Sequence, residues 1–110
     1  MNHQHQGLSA ERWAKLTLYQ QMANIGSEVG RALNWRTKGN EEYSRLAFYR
    51  SLELLDLTLE VDRKPSHLKE MTRLRECLVD YFAGGNQYDS SATSWKKYFH
   101  PFNFAARASR

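Results

Sequence analysis

The stretch Asn40–Asp62, NEEYSRLAFYRSLELLDLTLEVD, carries apolar residues around most of a helical circumference. Asn40 is a favoured N-cap residue, and Glu41 and Glu42 put negative charge in the first turn, where the helix macrodipole favours it. At about 100° per residue, Arg45, Tyr49, Glu53, Asp56 and Glu60 share one narrow sector. Tyr43, Leu46, Ala47, Phe48, Leu52, Leu54, Leu55, Leu57, Leu59 and Val61 spread over most of the remainder. An ordinary surface helix needs only one apolar stripe. This segment is therefore expected at the centre of a helical bundle, or partly inside a subunit interface.

Upstream, Ser9 is an N-cap type, and an apolar pattern follows it to about Trp35 before TKGN interrupts it. One long helix is expected there. Within it, MANIGSEVGR (Met22–Arg31) contains two glycines, each costing a helix interior about 1 kcal/mol relative to Ala. Ala23, Gly26 and Gly30 fall inside the apolar face, which predicts close packing of a second helix at all three; Gln21, Asn24, Glu28 and Arg31 fall opposite, on a polar face.

Downstream, DRKPSH is a break, Pro65 suits a first helical position, and Gly84-Gly85 suits a helix end near Phe82. ATSWKKYF reads as a short helix that Pro101 interrupts, with FNFAARASR adding a further turn or two. No alternation of strand type appears. The expected fold is all-α, an antiparallel four-helix bundle with a short, Pro-interrupted C-terminal helix. Residues 1–8 are expected to be a flexible tail and residues 9–110 a single domain.

Composition narrows the function classes. No apolar run approaches the roughly 20 residues that span a bilayer, and MNHQHQG has no signal-peptide core, so a cytoplasmic protein without a membrane partner is expected. The single cysteine, Cys77, excludes an internal disulfide framework and a CxxC zinc site. Charge is unevenly placed: residues 1–62 hold 7 Lys+Arg against 8 Asp+Glu, whereas residues 63–110 hold 9 against 4. The basic second half suits an anionic partner such as RNA or DNA, or else serves only solubility.

Glu53, Asp56 and Glu60 share a helix face, but no Glu-x-x-His accompanies them as a di-iron bundle requires, and His3, His5, His67 and His100 lack partners at metal-ligand spacing. No metal site, cofactor or catalytic residue is expected. Arg50 and Arg75 fall within the apolar circumference of their helices, so each guanidinium must be paired, face a partner, or reach solvent along its alkyl stem. Near the end, Trp95, Tyr98, Phe99, Phe102 and Phe104 interleave with cations. Aromatics and cations together stack bases and neutralise phosphates; here most of the aromatics are expected to close the bundle, leaving Lys96, Lys97, Arg107 and Arg110 as a basic surface strip.

LRECLVDYF (Leu74–Phe82) resembles the terminal motif of the HEPN helical-bundle family, whose ribonuclease members pair an Arg with a His a few residues on. Arg75 matches that arginine, and Asp80 stands where the histidine is expected. A carboxylate cannot supply imidazole chemistry at neutral pH, which argues against ribonuclease turnover. From Tyr19 to Ala106, the size, helix order and basicity resemble those of small bacterial four-helix proteins. These include the ribosomal-RNA intervening-sequence protein and the accessory proteins of diversity-generating retroelements. That resemblance implies a non-catalytic homo-oligomeric adaptor acting with nucleic acid or with a reverse transcriptase. The alternatives are a HEPN-related RNase or degenerate toxin or antitoxin component, and a structural scaffold for a protein partner.

Overall fold

The structure, a computed structural model, describes residues 10–108. The expected tail 1–8 with His3 and His5, the Ser9 cap and Arg110 lie outside the described residues. The described chain is all-helical, without strands: α1 Ala10–Ala14, α2 Leu18–Thr37, α3 Glu41–Val61, α4 Pro65–Ala83 and α5 Ala92–Ala108.

The single long helix expected before Trp35 is instead two. Thr17 ends the continuity, because its hydroxyl accepts a hydrogen bond from the Gln20 N–H (3.1 Å) while Gln20 Oε1 accepts one from the Thr17 N–H (2.9 Å). This Thr-x-x-Gln capping box satisfies two donors that would otherwise be orphaned at a helix start. The turn folds α1 onto α3, where the buried Trp13 indole donates to Thr58 Oγ1 at 2.9 Å. Gln21 Nε2 then donates to the carbonyls of Trp13 (3.0 Å) and Leu16 (3.3 Å), at the end of α1. Gln21, expected on a polar face, is therefore buried, and so is Glu28, which Arg50 of α3 covers.

Asn40 caps α3 by accepting from the Tyr43 N–H at 3.0 Å. This helix packs against α1, α2 and α4, which accounts for most of its wide apolar circumference. Contacts between α2 and α3 pair falling with rising residue numbers: Trp35 with Tyr43, Ala32 with Ser44, Glu28 with Arg50. Between α3 and α4 they run from Phe48 with Phe82 to Asp56 with Arg75. The core centres on Met22, Ile25 and Val29 of α2, Leu54, Leu55 and Leu57 of α3, and Met71 and Leu78 of α4. Each such buried side chain contributes about 1.5–3 kcal/mol of transfer free energy.

The Pro-interrupted short helix is also corrected. α5 runs unbroken through Pro101 for 17 residues. Proline removes the N–H that would meet the Lys97 carbonyl, a defect of about 3 kcal/mol in a helix interior. Pro101 itself is exposed, while Trp95, Phe99 and Ala106 on the other side of α5 are buried, so packing offsets the lost bond. The main partner of α5 is α2; α4 packs on α3, and the backbones of α4 and α5 stand apart. No described helix is long and apolar enough to cross a membrane.

Candidate functional site

Because α5 is continuous, positions four, seven and eleven residues apart align along it. Lys96, His100, Asn103 and Arg107 therefore share one face, and all four are exposed. They border the seam with α2, which holds one cavity of about 580 Å³ and another of about 280 Å³. Gly26, His100 and Asn103 line both, so the two form one groove. Its α2 wall is small and polar along the larger cavity, with Gln20, Ala23, Asn24 and Ser27, and adds Val29, Gly30 and Leu33 along the smaller one. Phe104, 63 % exposed, and Lys97 lie next to this face, about a quarter-turn round the helix from Lys96. Cations and an open aromatic ring thus occupy one side of α5.

The three small α2 residues differ in role. A Cβ on Gly26 would sit 2.8 Å from the ring of Phe99, so the absence of a side chain there permits the approach of α5. Gly30 is a correction: a Cβ there meets nothing within 4 Å among the described residues, and the position widens the groove instead of admitting a helix. Ala23 lines the same groove and is half-buried.

Arg50 and Arg75 are both held by carboxylates of a neighbouring helix. Arg50 Nε donates to Glu28 Oε2 at 3.0 Å, and Glu28 Oε1 accepts from Arg31 at 3.0 Å. Arg75 donates to both Asp56 oxygens, at 2.9 and 3.4 Å. The hydrogen bond to Asp56 raises the guanidinium's pKa, against the opposing effect of burial. Asp80, at the position of the HEPN histidine, accepts from the N–H groups of Gln87 (2.8 Å) and Tyr88 (3.0 Å) and so pins the loop that leads into α5. Asn86 and Asp89 in that loop adopt φ of 53° and 55°, a left-handed conformation that Asn and Asp tolerate better than most residues. Asp56 is paired with Arg75, and among the described residues no three His, Cys, Asp or Glu side chains converge on a metal position.

On the other side of α5 lies a cleft of about 610 Å³ facing α4. It is lined by Leu74 and Cys77 of α4, Trp95 and Tyr98 of α5, and Tyr88 of the loop, with Lys69, Glu70 and Arg73 on the α4 side. Tyr98 bridges the cleft by donating its hydroxyl to Glu70 Oε2 at 2.8 Å. Burial, reinforced by that hydrogen bond, raises the pKa of the phenol well above its ordinary value. From sequence, Phe104 stands out among the C-terminal aromatics and His100 among the histidines, but Asn103 does not; a helical wheel carried through Pro101 aligns His100 and Asn103 with Lys96 and Arg107 and sets Phe104 beside them.

The fold and its surface define an all-helical protein with two grooves sharing one helix as a wall. No protein-family model, curated protein or solved structure matches the chain.

Proposed function

We propose that this protein is a non-catalytic helical adaptor that binds single-stranded RNA or DNA along the exposed face of α5. The observation that carries the reading is the alignment of Lys96, His100, Asn103 and Arg107 along one groove, with Phe104 and Lys97 beside it. Cations neutralise phosphates with release of counterions, an open ring offers a stacking platform, and Asn, Gln and Ser supply hydrogen bonds to sugar and base edges. The reading takes α2 to α5 as an antiparallel four-helix bundle, which the order of the pairwise contacts supports. The absence of turnover is argued from Arg75 and Asp80: one is held by Asp56 and the other by the loop, so neither is poised as the HEPN pair would be.

Self-association belongs to the same reading. Tyr43, Leu46 and Tyr49 of α3 are exposed at 48 %, 39 % and 44 %, and at spacings of three residues they form an apolar stripe suited to a second copy. A protein partner, such as a reverse transcriptase, would use the same stripe.

Fluorescence anisotropy with a labelled 20-nucleotide single strand tests the main claim. Affinity should fall as salt rises, and Lys96→Gln with Arg107→Gln should weaken binding and lessen the salt slope by about 0.7 per lost phosphate contact. Helical content should not change. Equal binding by parent and variant at every salt concentration would exclude this face.

A further inference from the structure

The α4–α5 cleft differs from the nucleic-acid face in both chemistry and shape. Its floor is apolar: Leu74, Cys77 and the buried ring of Trp95. Two more aromatic rings wall it, Tyr98 from α5 and Tyr88 from the loop. Two cations stand one helical turn apart on its rim, Lys69 and Arg73. The Arg73 guanidinium lies 5.3 Å from the centre of the Tyr88 ring, an arrangement that holds a charge-assisted donor beside an aromatic surface. Among the described residues Glu70 is the only acidic one lining the cleft, and it is already engaged by the Tyr98 hydroxyl. Trp95 adds a buried indole N–H with no hydrogen-bond partner among the described residues.

We propose that this cleft binds a small aromatic anion, its ring system between Tyr88, Trp95 and Tyr98 and its carboxylate or sulfonate at Arg73 and Lys69. Size selects a small molecule over a helix. The α5 wall runs only from Ser94 to Tyr98, about 6 Å of helix rise, and the Tyr98–Glu70 bond crosses the cleft at that level. A docking helix is 10 Å or more across and would have to break that bond along its path. The volume of about 610 Å³ is typical of small-ligand sites, which are mostly apolar with a few convergent polar groups. Charge selects an anion, because the free rim charges are positive.

Calorimetric titration with 2-naphthoate and with the neutral 2-naphthalenemethanol tests both parts of the proposal. The anion should bind about tenfold more tightly, the difference expected for one charge-assisted hydrogen bond. Arg73→Gln, a change at an exposed position, should remove that preference while leaving the thermal unfolding curve in place. Cys77, the only cysteine in the chain, reports on occupancy: saturating 2-naphthoate should slow its alkylation by N-ethylmaleimide several-fold. The Lys96→Gln, Arg107→Gln variant should bind 2-naphthoate like the parent, so this proposal and the nucleic-acid reading fail separately. Equal affinity for the two probes would overturn the proposal, as would unchanged alkylation of Cys77. Protection of Cys77 that grows with protein concentration in the absence of probe would also overturn it, by assigning the cleft to a second copy.

Discussion

The larger cavity of the groove toward α2, about 580 Å³, and the cleft toward α4, about 610 Å³, are nearly equal in volume, yet the two sides of α5 are built by opposite means. The first exists because α2 presents small residues to α5: the helices pack closely at Gly26, and the space left over is rimmed by Asn, Ser, His and Arg. The second exists because the backbones of α4 and α5 stand apart and the two helices meet through long side chains, Tyr81 with Trp95 and Glu70 with Tyr98, so large side chains line an open gap. The larger cavity of the first is mostly polar, whereas the second is floored by apolar and aromatic side chains. This difference is why the first is assigned to an extended polyanion and the second to a compact ring.

The most severe way to break the comparison is to remove the wall common to both. Trp95→Ala deletes a buried ring, and such truncations cost about 3–5 kcal/mol; urea unfolding should show that loss, and binding at both grooves should weaken together. Retention of full stability would mean that α5 is held elsewhere. A more selective pair is Gly26→Ala and Gly30→Ala. The first forces the Phe99 ring to shift and should destabilise by about 1–3 kcal/mol, whereas the second meets open space and should stabilise by up to about 1 kcal/mol through helix propensity. Thermal unfolding of both variants decides it, and equal effects would erase the distinction between close approach and open groove. The smallest change is on the other side. Tyr98→Phe removes the bond to Glu70 and should cost about 0.5–1.5 kcal/mol. The same tyrosine links stability to pH. Because folding raises its pKa, the folded protein holds this proton more tightly than the unfolded chain. The stabilisation is complete below about pH 10, the ordinary tyrosine value, and fades as pH rises above it. Alkaline titration of stability should therefore be steeper in the parent than in Tyr98→Phe.

Sequence carried the helices but not the gaps. The starts of α3 and α4 were legible from Asn40 and Pro65, and the end of α4 from Gly84, because capping is local chemistry. The break before Leu18 was written as Thr17–Gln20, but the apolar pattern on either side concealed it. Burial of Gln21 and Glu28 depends on α1 folding back and on Arg50 arriving from α3, neither of which a single-helix wheel contains. Lys96, Lys97 and Arg107 were picked out by composition. Their relation to His100, Asn103 and Phe104 required knowing that α5 passes through Pro101, and that depends on the aromatic packing that offsets the proline. The α4–α5 cleft had no local signal at all, since it follows from two helices choosing other neighbours.

The order of contacts along the chain also has a kinetic side. α2 and α3 meet through residues close in sequence, such as Ala32 and Ser44, 12 positions apart, while α5 reaches α2 only through distant pairs such as Gly26 with Phe99. Local contacts form early and cheaply, and non-local ones must first close a long loop of chain. During synthesis the α2–α3 hairpin can assemble before α5 is made, with Ile25 and Val29 waiting for Phe99. Neither groove is complete until α5 is in place, because α5 walls both, so binding at either would report that α5 has docked.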